Sequence, residues 1–391
     1  MESNYRKKVL IGNIRQYGMV IALIFIVGMF QILTKGVLLV PQNVTNLIQQ
    51  NSYILILSMG MLIAIVAGAF DLSVGSVAAF SGAVAAVLCI RMQTGIFVSI
   101  LLSIGIGILV GAFHGYFISY IKVPAFIVTL AGMLIFRGLT QVLLQGRTLA
   151  PFPQKFKLIS TGFVPDLFPG YGVHITTILI GLIIGILIAI TSILKRKKKT
   201  ALGVPVMAMK FFVLQLALIF ASINVFTYWL AKYKGLPNVL VLILGLYVFY
   251  TVITQNTIIG RHLYAMGGNE KAARLSGVKT KFVLFLAFTN MGLLSALAGI
   301  IFAGRLDAAT PKAGTGFEMD AIAACYIGGA SSSGGVGTII GVIIGGLVMG
   351  VLNNGMSIMG INVDWQLAIK GIVLLLAVVF DVYSKSKSVT G

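Results

Sequence analysis

Few side chains in this 391-residue chain could perform acid–base, nucleophilic or metal chemistry. The three histidines, His114, His174 and His262, lie on segments far apart in the sequence, and the nine carboxylates are not spaced as metal ligands. No G-x-x-x-x-G-K-[ST] phosphate-binding loop is present. We therefore predict that the chain is not an enzyme and has no metal site and no cofactor of its own. Each histidine is interpreted as a packed or interfacial residue.

One polar motif interrupts an apolar stretch at Ala67–Ser76, AGAFDLSVGS, where Asp71 is the only carboxylate. A charge at membrane depth is costly, so Asp71 is a candidate for a functional site. The alternative is structural, because Asp71 could cap a helix by accepting hydrogen bonds from the amides of Ser73 or Val74. The sequence leaves both interpretations open.

A second motif of the same kind is Gly328–Thr338, GGASSSGGVGT. Both motifs precede helices rich in Ala and Gly, at Val74–Ala86 and Gly337–Gly350. Irregular backbone at membrane depth is tolerated where protein buries it or where it lines a cavity, and paired interruptions point to a transport pathway. Ordinary turns with small residues for close helix packing are the alternative. Because the two breaks occur as a pair, we favour a shared pathway.

The most informative polar stretch is Gly260–Lys281. Asn269 is a good helix N-cap, and Glu270 suits the first turn. Arg274 suits the last turn, and Gly277 is a good stop. These signals predict a helix of about two turns, too short to be stable alone in water, so we expect it to be docked. It could pack on its own protein, on lipid headgroups or on a partner.

The composition places these motifs in a membrane protein. Hydrophobic residues make up 58% of the chain and charged residues only 10%, far fewer than a soluble surface needs. We predict an all-α polytopic membrane protein, a single domain over 1–391, with about 10–12 transmembrane segments that include broken or half helices. The predicted segments are Tyr17–Leu33, Asn51–Phe70, Val74–Ile90, Ile96–Tyr120, Pro124–Gln145, His174–Leu194, Pro205–Ala231, Leu236–Thr254, Phe282–Gly304, Glu318–Ala330, Gly337–Met359 and Trp365–Tyr383. Glu318–Ala330 is too short to cross alone.

The basic residues predict the orientation of these segments. With the N-terminus in the cytoplasm, most of the 29 Lys and Arg residues, including the loop Lys195–Lys199 and the cluster Arg261–Lys281, fall inside. Both termini are then cytoplasmic. Residues 146–173 and 305–317 become extracytoplasmic loops, and their Pro and Gly residues predict ordered turns more than helices. Arg137 and Lys370 fall within spans, where they could snorkel or pair with a carboxylate.

At these motifs the sequence resembles a known family. The run Gly-Asn-Glu-x-Ala-Ala-x-x-Ser-Gly-Val, which begins at Gly268, looks like the coupling helix of permease subunits of bacterial ABC sugar importers of the ribose/xylose type. Asp71–Ser76, Val123–Leu130 and the Gly328–Thr338 region are also similar to motifs of this family, which shares a superfamily with branched-chain amino-acid permeases. The extra material at Gly146–Gly235 resembles xylose-type and multiple-monosaccharide permeases.

The resemblance implies a type II-like ABC importer fold in the bacterial cytoplasmic membrane. It implies a homodimer, a cytoplasmic ATPase that itself binds the ATP and contacts a cytoplasmic coupling loop at residues 258–281 of this chain, and an extracytoplasmic sugar-binding protein. The implied ATPase-coupling residues are Gly267, Asn269, Glu270, Ala272, Ala273 and Gly277. The implied translocation-path residues are Phe70, Asp71, Ser73, Ser76, Ser331, Ser332 and Ser333. An ion-coupled secondary transporter is the alternative, and it predicts buried carboxylates, of which the spans offer only Asp71.

Overall fold

The structure is a computed structural model that describes residues 2–169 and 172–389, with side chains for 18–169 and 172–379. The predicted positions of the chain ends and of residues 170 and 171 in the first long loop lie outside the described residues. The helices are α1 (Glu2–Leu33), α2 (Pro41–Val66), α3 (Val74–Ala86), α4 (Ile96–Tyr116), α5 (Ala125–Leu144), α6 (Gln154–Thr161), α7 (Ile175–Ala201), α8 (Met209–Ala231), α9 (Asn238–Asn256), α10 (Ile258–Gly268), α11 (Glu270–Leu275), α12 (Thr280–Leu306), α13 (Phe317–Ile327), α14 (Ile339–Ile358) and α15 (Val363–Val389). Turns of π-helix extend α3 over Val87–Arg91 and α4 over Phe117–Ile121.

The predicted all-α membrane fold is confirmed. Nine helices of the described chain are long and apolar enough to cross a membrane, and α1, α13 and α15 complete the twelve predicted segments. α13 is the short one, as expected, with 11 residues. Within the described ranges, the only β-structure consists of two isolated bridges.

The core forms around α2, α12 and α14, and small residues let these helices approach closely. Gly292 of α12 lies against the backbone of Gly107 and Gly111 of α4, where an added Cβ would overlap main-chain atoms. Gly299, one level along, lies against Ala78 of α3 in the same way. In a membrane such contacts replace the hydrophobic effect as the source of helix association.

Two ends of the bundle can be defined by their contacts. At the "Glu270 end", the Lys122 Nζ lies 3.7 Å from the Glu270 carboxylate. At the "Asp307 end", Leu149 and Ala309 form one of the isolated bridges. α4 begins on the Asp307 side and finishes beside Lys122, while α12 runs in the opposite direction from Thr280 to Leu306.

Several predicted boundaries were wrong for physical reasons. α2 begins ten residues before the predicted Asn51, at Pro41, a residue well suited to the first turn of a helix. Lys195–Lys199 is not a loop, because α7 continues to Ala201 through these good helix formers, and α8 begins only at Met209. The loop 146–173 was expected to contain turns, but it also holds the eight-residue α6.

Candidate functional site

Asp71 lies in the link of residues 67–73, which joins α2 to α3. The carboxylate is buried, and its Oδ1 accepts hydrogen bonds from the amide of Ser73 at 2.8 Å and from the Ser73 hydroxyl. Ser73 itself occupies the N-cap position of α3. Asp71 therefore orders the entry to α3, close to the capping role that the sequence left open.

His114 is a neighbour of this link that sequence reasoning missed. Its Nδ1 lies 3.4 Å from the Ser73 hydroxyl, and the ring packs edge-on against Phe136. His114 Nε2 and the Ser76 hydroxyl are buried and form no hydrogen bond within the described part of the chain. The contact joins residues 41 positions apart, so no local pattern predicts it. The one signal in the sequence was a histidine inside an apolar span.

α13 begins inside the bundle, next to the start of α3. A Cβ on Gly75 would overlap the Gly314 carbonyl and lie 2.6 Å from the Glu318 carboxylate. Arg137 reaches the same place, where its Nη1 donates a hydrogen bond of 2.7 Å to the Thr315 hydroxyl. Arg137 therefore holds the loop that precedes α13.

A second charged contact secures the first turn of α13. Lys370 Nζ lies 3.0 Å from Asp320 Oδ1, and the Tyr53 hydroxyl donates a hydrogen bond of 2.9 Å to Asp320 Oδ2. The Asp320 side chain is 2% exposed and the Lys370 side chain 18%. The expectation that Asp71 would be the only carboxylate at depth was wrong, because Glu318 and Asp320 are buried as well. Lys370 neutralises Asp320.

The second break, residues 328–338, is a compact turn. Ser331 donates its amide to the Val336 carbonyl at 3.0 Å, and its hydroxyl lies 2.9 Å from that of Ser333. Thr338 then caps α14, since its hydroxyl oxygen accepts from the Gly341 amide at 3.1 Å. Ser331 is buried, whereas Ser332 is exposed.

The two breaks meet each other, and the last turns of α10 meet both. The Gly335 amide donates to the Val66 carbonyl, the last residue of α2, at 2.9 Å. Gly267 packs into this contact so tightly that a Cβ there would overlap the Val66 oxygen and lie 2.6 Å from the Gly335 nitrogen. The Tyr264 hydroxyl donates to the Gly337 carbonyl at 2.7 Å. We call this group of contacts the "Gly267 junction".

The short helix predicted after Asn269 is confirmed as α11. The Asn269 side chain accepts from the Ala272 amide at 3.0 Å, and Gly277 stops the helix with a φ of +86°. Glu270 lies 3.3 Å from the Thr280 hydroxyl and 3.7 Å from Lys122 Nζ. These contacts fix α11 to the start of α12 and the end of α4.

α11 nevertheless presents most of its surface to the outside. Among its six residues only Ala273 is buried, and Leu275 is 88% exposed. Leu275 therefore places one apolar side chain on the outer surface of α11. Leu275 was not among the predicted coupling residues, because in sequence it looks like an ordinary core leucine.

The predicted path residues do not form one cluster. Asp71 and Ser73 lie with His114, whereas Ser331, Ser332 and Ser333 lie in the second break near the Gly267 junction. Phe70 is exposed, and Ser76 is buried in the first turn of α3. The two breaks touch where the Gly335 amide donates to the Val66 carbonyl.

The Asp307 end joins the two long loops into one surface. Asp307 accepts hydrogen bonds from Lys157 Nζ at 2.8 Å and from the Phe152 amide at 2.8 Å. The hydrogen bond from Lys157, together with the amide and the lysine charge, lowers the pKa of the Asp307 carboxyl.

No group of three or more His, Cys, Asp or Glu side chains in the described ranges is arranged to hold a metal ion.

Comparison with known proteins supports the same assignment. The family described as "Branched-chain amino acid transport system / permease component" matches residues 43–210 and 159–378. The chain is 36% identical to the xylose transport system permease protein XylH of Haemophilus influenzae, over 96% of this chain and 98% of that relative. It is 37% identical to the Escherichia coli K12 protein of the same name, over 96% and 94%. It is 33% identical to the ribose import permease protein RbsC of E. coli K12, over 92% of each chain. No solved structure matched.

Proposed function

This chain belongs to the branched-chain amino acid transport system permease family, and we propose that it is the permease subunit of an ATP-driven monosaccharide importer. The observation that carries the proposal is the similarity to xylose permeases along almost the whole chain. Xylose and related sugars are the proposed substrates, since the ribose permeases are also similar at 33–34% identity. The protein is a multi-pass protein of the inner membrane.

We propose that the Glu270 end faces the cytoplasm, with both termini on that side. The positive-inside rule supports this orientation, because Lys195–Lys199 and the basic residues of 261–281 then face the cytoplasm together. The Asp307 end would then face outward. Its two loops, 146–173 and 305–317, are tied together by Asp307 and Lys157, and this joint surface would receive the sugar-binding protein.

α11 is the proposed contact with the cytoplasmic ATPase. The helix is capped, fixed at its base by Glu270 and Thr280, and exposed at Leu275, so it can enter a groove without unfolding. Its exposed predicted residues, Asn269, Glu270, Ala272 and Gly277, would lie on or beside that contact, while Ala273 anchors the helix to its own chain.

The Gly267 junction gives α11 a direct connection to the spans. Gly267 lies two residues before the cap Asn269 and contacts the end of α2 and the second break. A rigid-body shift of α11 driven by ATP would therefore move α2 and α14 together. This connection explains why a glycine is required at position 267.

The sugar path is proposed to run beside the two breaks, shared with a second copy of this chain. A sugar needs hydroxyl-compatible surfaces, and the serines of both breaks can supply them. His114 Nε2 and Ser76 Oγ support this proposal, because buried polar atoms without partners are costly unless water or a hydroxylated ligand satisfies them. The ion-coupled alternative is not favoured, since the similar proteins are named as permeases of transport systems and Asp320 is already paired with Lys370.

Co-purification with the cognate ATPase tests the α11 contact. Leu275→Asp should abolish association, because a charge replaces the exposed apolar contact, while the neighbouring control Ser276→Asp should retain most of it. Normal yield of ATPase with Leu275→Asp would count against the contact.

Glu270 needs a separate design because it also pairs with Lys122. We expect Glu270→Lys, and deletion of 269–276, to lose the ATPase while the protein remains folded in the membrane. The exchange Lys122→Glu with Glu270→Lys restores the internal pair. If the ATPase contacts Glu270 directly, the exchange variant should stay defective. Full recovery would mean that Glu270 only stabilises the loop.

A further inference from the structure

The hairpin of α7 and α8 ends in a cavity that the transport function does not use. The cavity has a volume of about 460 Å³ and lies between the last turns of α7, the link of residues 202–208 and the first turns of α8. It is lined by four basic residues, one hydroxyl and an apolar wall: Ser192, Lys195, Arg196, Lys198, Lys199, Leu202, Pro205, Val206, Met207 and Phe212.

The basic residues enter the cavity because of helical periodicity. Positions 192, 195, 199 and 202 follow the i, i+3, i+7 spacing of one helix face, and 198 lies beside them. Lys197 belongs to the same basic run but does not line the cavity. The helix therefore places four residues of the run Lys195–Lys199 along the cavity and leaves Lys197 outside it.

Arg196 has a different task from the lysines. Its Nη1 donates a hydrogen bond of 2.6 Å to the Met207 carbonyl, and its guanidinium lies 4.7 Å from the centre of the Phe212 ring. These two contacts hold the link and the first turns of α8 against α7. At the end of α7, the Leu202 amide donates to the Lys198 carbonyl at 3.2 Å. These hydrogen bonds and the contact of Arg196 with the Phe212 ring therefore fix the wall of the cavity.

Among the described residues, no carboxylate is paired with the lysines of this cavity. No Asp or Glu occurs between Asp166 and Glu270 in the sequence. Among the described residues, no ion pair within 4.0 Å includes Lys195, Lys198 or Lys199. Orientation by the positive-inside rule needs only that such residues be present, and it does not require that they converge on a cavity with an apolar wall.

We propose that this cavity binds the phosphate headgroup of an anionic phospholipid. The lysines supply the charge for a phosphate, and Ser192 offers a hydroxyl donor beside them. The neighbouring surface is apolar and exposed, with Ile186, Leu187 and Leu194 on α7, so acyl chains can continue along the hairpin. This surface favours a lipid over free phosphate, and basic pockets between helices at the cytoplasmic side of a membrane suit such headgroups.

Binding of phosphatidylglycerol to the purified full chain tests the proposal by native mass spectrometry, with the lipid titrated into detergent. Lys195→Gln with Lys199→Gln should weaken the tightest binding event by on the order of tenfold, because each cation near an anionic lipid surface contributes severalfold. The control Lys197→Gln with Lys210→Gln removes the same charge outside the cavity and should leave binding within about twofold. A thermal unfolding curve confirms that each variant is folded.

Three results would overturn the proposal. One is an equal loss of binding in the cavity variant and the control, which would mean a diffuse charge effect. Another is equal binding of phosphatidylcholine, which carries no net charge. The third is displacement of the lipid by inorganic phosphate at concentrations that match the lipid, which would assign the site to a free anion. Lys198→Glu, a single reversal in the cavity, should weaken phosphatidylglycerol binding at least as much as the double Gln variant.

Discussion

α2 and α7 are both long apolar helices, yet they occupy opposite places in the molecule. The most apolar stretch of α2 has a mean hydropathy of 1.4 and is 89% buried, whereas that of α7 has a mean hydropathy of 2.8 and is 17% buried. The less apolar helix forms the core. A lipid-facing helix must be apolar all round, while a helix buried among others can hold polar groups because neighbours satisfy them.

The difference in burial distinguishes the core that contains α2 from the lipid-facing hairpin of α7 and α8. α2 carries Tyr53, which binds Asp320, and ends in the Gly267 junction. α7 and α8 pack mainly on each other, and no residue in the most apolar stretch of α8 is buried. We therefore expect changes in the core to affect transport and stability far more than matched changes in the hairpin.

The largest combined effect on stability and uptake is expected at the Gly267 junction. Gly267→Ala would force a Cβ into the Val66 carbonyl, and overpacking against backbone costs roughly 1–3 kcal/mol or more. The adjacent control Gly268→Ala meets no atom within 4 Å. In Gly267→Ala the unfolding midpoint should fall and ATP-driven uptake should be lost. In Gly268→Ala both should stay near wild type. Equal behaviour of the two would refute the tight contact.

A large effect on stability alone is expected for the buried pair of Asp320 and Lys370. Lys370→Met leaves Asp320 without its cation, and breaking such pairs costs roughly 3–5 kcal/mol when both groups are fully buried. Because Lys370 is partly exposed, we expect the lower part of that range. Adding Asp320→Asn should recover much of the unfolding midpoint.

The same change in the hairpin sharpens the comparison. Lys210→Met removes a lysine from the first turn of α8, where the side chain is exposed. Its unfolding midpoint should match wild type. A loss as large as that of Lys370→Met would remove the distinction between core and hairpin.

Asp71 gives a moderate effect that distinguishes its two roles. Asp71→Asn keeps an oxygen for the Ser73 amide, whereas Asp71→Ala loses it, and lost capping contacts cost about 0.5–2 kcal/mol. We expect Ala to unfold at a lower temperature than Asn in a thermal melt. If both variants fold like wild type but neither transports sugar, Asp71 acts in the path and not as an anchor.

The smallest effect concerns Asp307 and acid. Its pKa is lowered in the folded protein by the hydrogen bond from Lys157, so its stabilising contribution is present at neutral pH and is lost as pH falls through the folded pKa. Asp307→Asn should therefore lose less stability than wild type between about pH 7 and about pH 3. Asp364→Asn, which removes another exposed carboxylate, is the control. An unchanged acid sensitivity in Asp307→Asn would contradict the assignment.

The features that were predicted correctly from the sequence are those that depend on local residue preferences. The cap at Asn269, the stop at Gly277 and the short length of α13 follow from residue preferences and span length, and all three are present. The beginning of α2 was missed because its first turns carry Gln and Asn, which burial against other helices allows. Hydropathy alone cannot reveal such burial.

Contacts between distant segments could not be predicted. Ser73 meets His114, Arg137 meets Thr315, and Gly335 meets Val66 only because the helices pack in one arrangement. One sequence offers no signal for these pairings, since each residue is unremarkable in its own segment. The family resemblance supplied the function, and the packing supplied the connection between α11 and the breaks.

Sugar uptake into proteoliposomes tests the central claim most directly. The full chain would be reconstituted with its cognate ATPase, and radiolabelled xylose and the sugar-binding protein would be added outside, with ATP enclosed. We predict uptake only when the ATPase, the binding protein and ATP are all present, and no uptake when Gly267→Ala replaces the wild-type chain. Uptake without ATP, driven by an ion gradient across the same vesicles, would contradict the account.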